Sequence, residues 1–102
     1  MSFSPGSIVE NPLEYKLYQN YPNPFNPSTT IEFDLPRQSA VTLKIYDMLG
    51  REVGTLLDGL EMPEGFHDVT FDARGMASGV YFYRLMVNEG EYQQINKMVL
   101  MK

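Results

Sequence analysis

The sequence GVYFYRLMV, residues 79–87, decides the fold of this chain. It is rich in β-branched and aromatic residues, which favour extended backbone. Large side chains occupy both of its alternating faces, which is typical of a central strand. The turn formers Asn88-Glu89-Gly90 follow at once and predict a hairpin into a last strand over residues 92–101. We therefore expect residues 79–87 to form a strand with neighbours on both sides.

Alternation of apolar and polar residues continues upstream of this strand. It recurs in three segments, at residues 31–35, 41–45 and 67–71. Residues 51–57 predict a shorter strand, followed by a loop over 58–65. No segment has a persuasive helical period. Six or seven strands separated by turn formers predict an all-β, antiparallel two-sheet sandwich, because a single sheet would leave half of the apolar side chains in water.

A proline-rich stretch, YPNPFNPS at residues 21–28, interrupts this pattern. Each proline restricts its own φ and pushes the preceding residue toward extended backbone, so we expect a stiff, extended crossover that no helix or central strand includes. Asn23 and Asn26 are placed to bond nearby backbone as Asx turns. Tyr21 and Phe25 are expected to pin the segment onto its own domain rather than to serve as a ligand for an aromatic groove.

The composition limits the partners. The net charge of −5 disfavours nucleic acid and anionic lipid, both of which need clustered Lys and Arg. No apolar run of about 18 residues is present, so we expect no membrane-spanning helix and no direct membrane insertion. Cysteine is absent, which excludes disulfides and thiolate metal sites.

Residues 1–14 are rich in Ser, Pro and Gly and predict a linker or tail before a single domain over residues 15–102. The alternative is that Ile8 and Val9 add a short edge strand. The first residues have neither the basic nor the apolar region of a signal peptide. We expect any secretory signal to lie outside this sequence.

The inventory of catalytic residues is poor, so we expect no enzyme activity and no cofactor. His67 is the only histidine, which excludes a multi-histidine metal site. Asp58, Glu61 and Glu64 share the predicted loop and could bind calcium weakly, although they lack the spacing of a calcium-binding loop. A solvated loop is the simpler interpretation. Exposed tyrosines could stack on a sugar, but the alternation places most of them beside core strands.

Residues 17–31 (LYQNYPNPFNPSTTI) resemble the opening signature of the type IX secretion system (Por secretion) sorting domain, type A. These domains form the C-termini of many secreted proteins of the Bacteroidetes. The same stretch resembles the Ig-like domain of the flagellar hook-capping protein family. Further matches follow in order at residues 41–50, 51–53, 65–67 and 78–85. The residues that carry the signature are Tyr21, Pro22, Asn23, Pro24, Phe25, Asn26, Pro27, Gly50, Gly79 and Tyr81.

The resemblance implies an Ig-like sandwich that is secreted or displayed on the cell surface, and recognition by the outer-membrane type IX translocon. It also implies a passenger domain on the N-terminal side and cleavage by a sortase-like signal peptidase in the linker before Tyr15. In the family the last strand and a terminal basic residue matter for export. The corresponding residues are Ile95, Lys97, Val99, Met101 and Lys102.

Recognition of the last strand is physically reasonable. A final strand with unpaired backbone could be read by β-augmentation without any catalytic group. The competing interpretation is an ordinary paired strand that serves the core, and both can hold together. Two other functions stay open, an Ig-like spacer or assembly module, which would self-associate or bind a filament, and a carbohydrate-binding module of a secreted hydrolase, which would bind polysaccharide.

Overall fold

A computed structural model of the chain describes residues 11–102. The strands are β1 (Lys16–Leu17), β2 (Ser28–Leu35), β3 (Ser39–Tyr46), β4 (Glu52–Met62), β5 (Gly65–Asp72), β6 (Gly79–Val87) and β7 (Tyr92–Leu100). A single 3₁₀ turn, Asn88–Gly90, closes the last hairpin. Ile8, Val9 and most of the predicted linker lie outside the described residues, so the linker and its alternative stay predictions.

The seven strands form two antiparallel sheets, in the orders β1-β2-β5 and β4-β3-β6-β7. The predicted all-β, Ig-like sandwich is therefore confirmed. β6 lies between β3 and β7, which confirms its central position. Only one of its faces is fully buried, because no further layer of the described residues covers the outer face of the four-stranded sheet.

The core lies between the two sheets and is built from the alternating residues of the sequence pattern. Its fully buried side chains are Phe25, Ile31, Phe33, Leu35, Val41, Leu43, Ile45, Tyr83, Leu85, Val87, Met98 and Leu100. The residues between them on each strand point outward, as a period of two requires. Both β6 and β7 therefore have one face in the core and one face toward solvent.

The predicted loop over residues 58–65 is wrong. β4 continues to Met62, and only Pro63 and Glu64 separate it from β5. Gly59 has a φ of 62°, and its N–H donates to Thr42 Oγ1 at 3.0 Å. The pairing of β3 with β4 shifts register on either side of Leu43. Because this irregularity breaks the alternation, the second half of the strand could not be recognised from the pattern.

The proline crossover, residues 21–27, is bent rather than extended. Tyr21 forms an antiparallel bridge with Thr30 of β2, whereas Phe25 forms a parallel bridge with Leu100 of β7. These two anchors belong to different sheets, so the chain has to turn between them. The crossover thus ties the edges of the two sheets together at one side of the sandwich.

Candidate functional site

The residues predicted for export fall on β7, with opposite roles for its two faces. Ile95, Lys97 and Val99 pair with Arg84, Phe82 and Val80 of β6, on the outer face of the sheet. Met98, which lies between Lys97 and Val99, and Leu100, which follows Val99, are fully buried in the core. The last strand is therefore both an ordinary core strand and a source of accessible side chains. Met101 and Lys102 follow the strand and are exposed.

The crossover covers the C-terminal half of the β7 edge. Phe25 N–H donates to Val99 O at 2.9 Å, and Met101 N–H donates to Phe25 O at 3.0 Å. The amide of Val99 donates to Asn23 Oδ1 at 2.9 Å, and Gln19 Nε2 donates to Lys97 O at 2.7 Å. Asn23 thus bonds the last strand and not its own turn. The expected unpaired backbone is absent from this half of the strand.

Among residues 11–102, no strand or crossover residue pairs with the N-terminal half of the same edge. On an edge strand, the backbone N–H and C=O groups of every second residue point away from the neighbouring strand, within the plane of the sheet. Those of Gln93 and Ile95 therefore point away from β6, in the same direction as those of Val99. Four of these groups have no hydrogen-bond partner within residues 11–102: the amides of Gln93, Ile95 and Lys97, and the carbonyl of Gln93. The carbonyl of Ile95 has only a long contact, 3.4 Å, from Gln94 Nε2. We call residues 93–97 the open edge.

Beside the open edge, two apolar and two cationic side chains alternate on the outer face of β6 and β7. Phe82 stands opposite Lys97, and Arg84 stands opposite Ile95. The two apolar residues therefore lie on one diagonal and the two cationic residues on the other. Ile95 is 57% exposed, so the strand presents an apolar side chain and a positive charge, two residues apart, next to unpaired backbone.

A shallow groove of about 370 Å³ adjoins this pattern, lined by Phe82, Ile95 and the tip of the β3–β4 hairpin. At that tip Met48 and Leu49 are strongly exposed. The tip is held by Asp47, which accepts hydrogen bonds from the amides of Leu49 and Arg51. Those bonds, led by the one from Arg51, lower the pKa of the Asp47 carboxyl. The apolar surface of the outer face therefore continues onto a fixed hairpin tip.

The cations of the outer face differ in their partners. Lys44 Nζ lies 3.2 Å from Glu52 Oε1. Arg84 stacks over the ring of Tyr46, 5.6 Å from its centroid, and is not within ion-pair distance of a carboxylate among residues 11–102. Lys97 likewise lies outside ion-pair distance of every carboxylate in residues 11–102. On a chain with a net charge of −5, this face carries two positive charges that form no ion pair with a carboxylate of residues 11–102.

The signature residues serve the crossover and the turns. Phe25 is 2% exposed and packs against Phe71, whereas the side chain of Tyr21 is 80% exposed, so only the backbone of Tyr21 pins the segment. Gly50 has a φ of 82°, which the predicted turn required. Tyr81 donates to Ala77 O at 2.7 Å.

Sequence reasoning missed a buried polar cluster under the crossover. Asn20, which is 2% exposed, donates through Nδ2 to Thr29 Oγ1 at 2.9 Å and to Pro22 O at 3.1 Å. Its own amide donates to Tyr83 Oη at 2.8 Å. A polar residue directly before a rigid proline segment was the available signal, but its partner is remote in sequence.

The structure assigns no chemistry to the residues weighed for catalysis. His67 stacks on Phe33 with ring centroids 5.5 Å apart, and its Nε2 lies 2.8 Å from Pro63 O. Asp58 and Glu61 lie within β4 and not in a loop. Among residues 11–102, no group of three or more His, Asp or Glu is placed to hold a metal ion. That part of the chain also has no helix long and apolar enough to cross a membrane.

Comparison with known proteins agrees with this geometry. The family model of the secretion system C-terminal sorting domain matches residues 19–101. Among solved structures, PorZ of Porphyromonas gingivalis, described as an essential bacterial surface component of the type IX secretion system, superimposes with a TM-score of 0.54 at 23% identity. The match covers 86% of this chain but only 11% of PorZ, and at this identity it shows the fold alone. No curated protein sequence matches.

Proposed function

The chain belongs to the family of type IX secretion C-terminal sorting domains, and from that membership we propose that it directs a passenger protein, attached on its N-terminal side, through the outer membrane to the cell surface. Membership implies export to the cell surface or into the medium. The family match over residues 19–101 is the observation that carries the proposal. We further propose that the domain acts as a recognised shape and not as an enzyme.

The proposed recognition surface is the outward side of the last strand, Ile95, Lys97 and Val99, with Met101 and Lys102 beyond it. Ile95, Lys97 and Val99 share the outer face of β7, which no described layer covers, and Met101 and Lys102 are exposed beyond the end of the strand. Their backbone is held by β6 and, from Lys97 onward, by residues 19–25. Such preorganisation favours binding, because little conformational entropy is lost when a partner docks.

We propose two partners in sequence, the outer-membrane translocon and then a sortase-like signal peptidase that cuts the chain before Tyr15. Tyr15 is itself anchored, since its ring stacks on Tyr92 with centroids 5.4 Å apart and its hydroxyl lies 3.1 Å from Ser39 Oγ. A cut on the N-terminal side of Tyr15 would therefore leave these two contacts of Tyr15 intact.

The test is to fuse the 102-residue chain to a reporter carrying a signal peptide, in a bacterium with a working type IX system. We expect the reporter at the cell surface or in the medium. A reporter retained in the periplasm with an intact domain would refute the proposal.

A matched pair of variants locates the recognition surface. Lys97→Ala should reduce export, whereas Lys16→Ala, at an exposed lysine on β1, should leave it unchanged. Equal export by both variants would show that the last strand is not the part recognised.

A further inference from the structure

We propose that the open edge of β7 accepts one additional strand from a partner protein, and that this strand places an apolar side chain beside Ile95 and a carboxylate beside Lys97. The inference rests on the proposed function, because it names the chemistry of the segment that would recognise the sorting domain.

The backbone supplies the first argument. Gln93, Ile95 and the amide of Lys97 present outward N–H and C=O groups with no strand beside them within residues 11–102. Such a row of groups is a template for an added strand. The crossover occupies the edge from Lys97 O to Met101 N. The added strand is therefore confined to residues 93–97 and cannot continue along the whole of β7.

The side chains supply the second argument. Residues of an added strand that stand beside Ile95 and Lys97 are two positions apart, so both point to the outer face. The one beside Ile95 meets that half-exposed isoleucine and the groove lined by Phe82 and Met48. The one beside Lys97 meets a positive charge that has no carboxylate partner among the described residues.

Charge decides between the possible occupants. A second copy, pairing edge to edge around Ile95, would set Lys97 beside Gln93 of the other molecule and supply no carboxylate to either cation. It would also join two chains that each carry a net charge of −5. An acidic partner segment, by contrast, supplies a carboxylate to Lys97.

The experiment uses the 102-residue chain and a synthetic peptide, Thr-Glu-Thr-Ile-Thr-Glu-Thr. Its symmetry places a glutamate beside Lys97 in either strand direction when isoleucine stands beside Ile95. Amide hydrogen exchange is followed by NMR at roughly millimolar peptide, a concentration suited to a weak site. We expect the amides of Ile95 and Lys97 to slow by about tenfold or more, whereas those of Val99 and Met101 are protected from the start.

The control peptide carries lysine in place of both glutamates and should bind at least about tenfold more weakly. Unchanged exchange at Ile95 with the acidic peptide overturns the inference. So does protection of Ile95 in the free, dilute chain, because residues 1–10 or a second copy would then cover the edge.

Two variants make the result specific. Ile95→Pro removes one outward N–H without removing a hydrogen bond to β6, so peptide binding should be lost, while Ile95→Val should keep it. Lys97→Glu should invert the preference and bind the lysine peptide better, a result that misfolding cannot mimic. Failure to invert would argue against the assigned role of Lys97.

Export separates this inference from the proposed function. If the wild-type fusion is exported and Ile95→Pro is exported equally well, the added strand is wrong and the sorting role stands. If the wild-type fusion is not exported, the sorting role itself fails, whatever the peptide does.

Discussion

The phenol oxygen of Tyr83 lies 2.8 Å from the backbone nitrogen of Asn20, although 63 residues separate them in the chain. The same hydroxyl donates to Tyr18 O at 2.7 Å, and Asn96 Nδ2 approaches it at 3.3 Å. Tyr83 is fully buried. One hydroxyl on the central strand thus fixes the segment that leads into the proline crossover.

Removing this hydroxyl should destabilise the fold. Tyr83→Phe leaves the buried amide of Asn20 without a partner and leaves Tyr18 O with only the 3.3 Å contact from Asn96 Nδ2. The loss should cost about 1–3 kcal/mol. Urea unfolding at neutral pH measures the loss. Tyr46→Phe is the matched control, since no hydrogen bond of the Tyr46 hydroxyl is recorded within residues 11–102, and it should change stability by less than about 0.5 kcal/mol. Equal losses for the two variants would contradict the assignment.

Alkaline pH should weaken the fold through Tyr18. The hydroxyl of Tyr18 donates to Asp34 Oδ2 at 2.5 Å. This bond, with smaller contributions from desolvation and from the negative charges of Asp34 and Glu32, raises the pKa of Tyr18 to about 12. The folded state therefore favours the neutral phenol relative to the unfolded chain, whose phenols titrate near about 10. The stabilisation is complete below pH of about 10 and is lost as the pH rises toward about 12.

Urea unfolding at several pH values tests this linkage. Wild type should lose more stability than Tyr18→Phe between neutral and strongly alkaline pH. Burial also raises the pKa of Tyr83 and Tyr92, so part of the loss should remain in the variant. Identical pH slopes for wild type and Tyr18→Phe would sink the argument.

The two aromatic residues of the crossover should differ sharply. Phe25→Ala empties a buried site and should cost about 3–5 kcal/mol, whereas Tyr21→Ala removes an exposed ring and should cost less than about 1 kcal/mol. Phe25→Ala should also speed amide exchange at Met101, because the bond from that amide to Phe25 O would be held less firmly. Similar stabilities for both variants would show that Phe25 does not anchor the crossover.

Two glycines of β4 make a matched test of backbone strain. Gly59 has a φ of 62°, and an alanine there meets no clash but must adopt a left-handed conformation, at a cost of about 1–2 kcal/mol. Gly54 lies outside that region, and its added methyl would contact Ile45 at 3.7 Å, an ordinary packing distance. Gly54→Ala should be neutral or stabilising by about 0.5 kcal/mol. Thermal unfolding of both variants gives the comparison, and a tolerated Gly59→Ala would count against the strained bulge.

Local chemistry explains which elements the sequence could predict. The alternation in β2, β3 and β5 is regular, so these strands could be predicted from residues such as Ile31. The strand β6 was also predicted, but its large side chains on both faces did not indicate which face is buried. The strand predicted for β4 ended too early, at Leu57, because Gly59 and the register shifts beside Leu43 interrupt the alternation. The crossover was expected to be extended, but it bends because its partners, Thr30 and Leu100, lie in different sheets. The local sequence does not indicate which strands the crossover contacts.

The sequence by itself determined a sandwich and the family, because both follow from patterns within short segments: a period of two, turn formers and the signature at residues 17–31. The tertiary structure alone decided which half of the last strand is accessible. The edge at Val99 is closed by Phe25 and Asn23, while the edge at Ile95 is open within the described residues. That distinction depends on contacts between residues more than seventy positions apart, which no local pattern encodes.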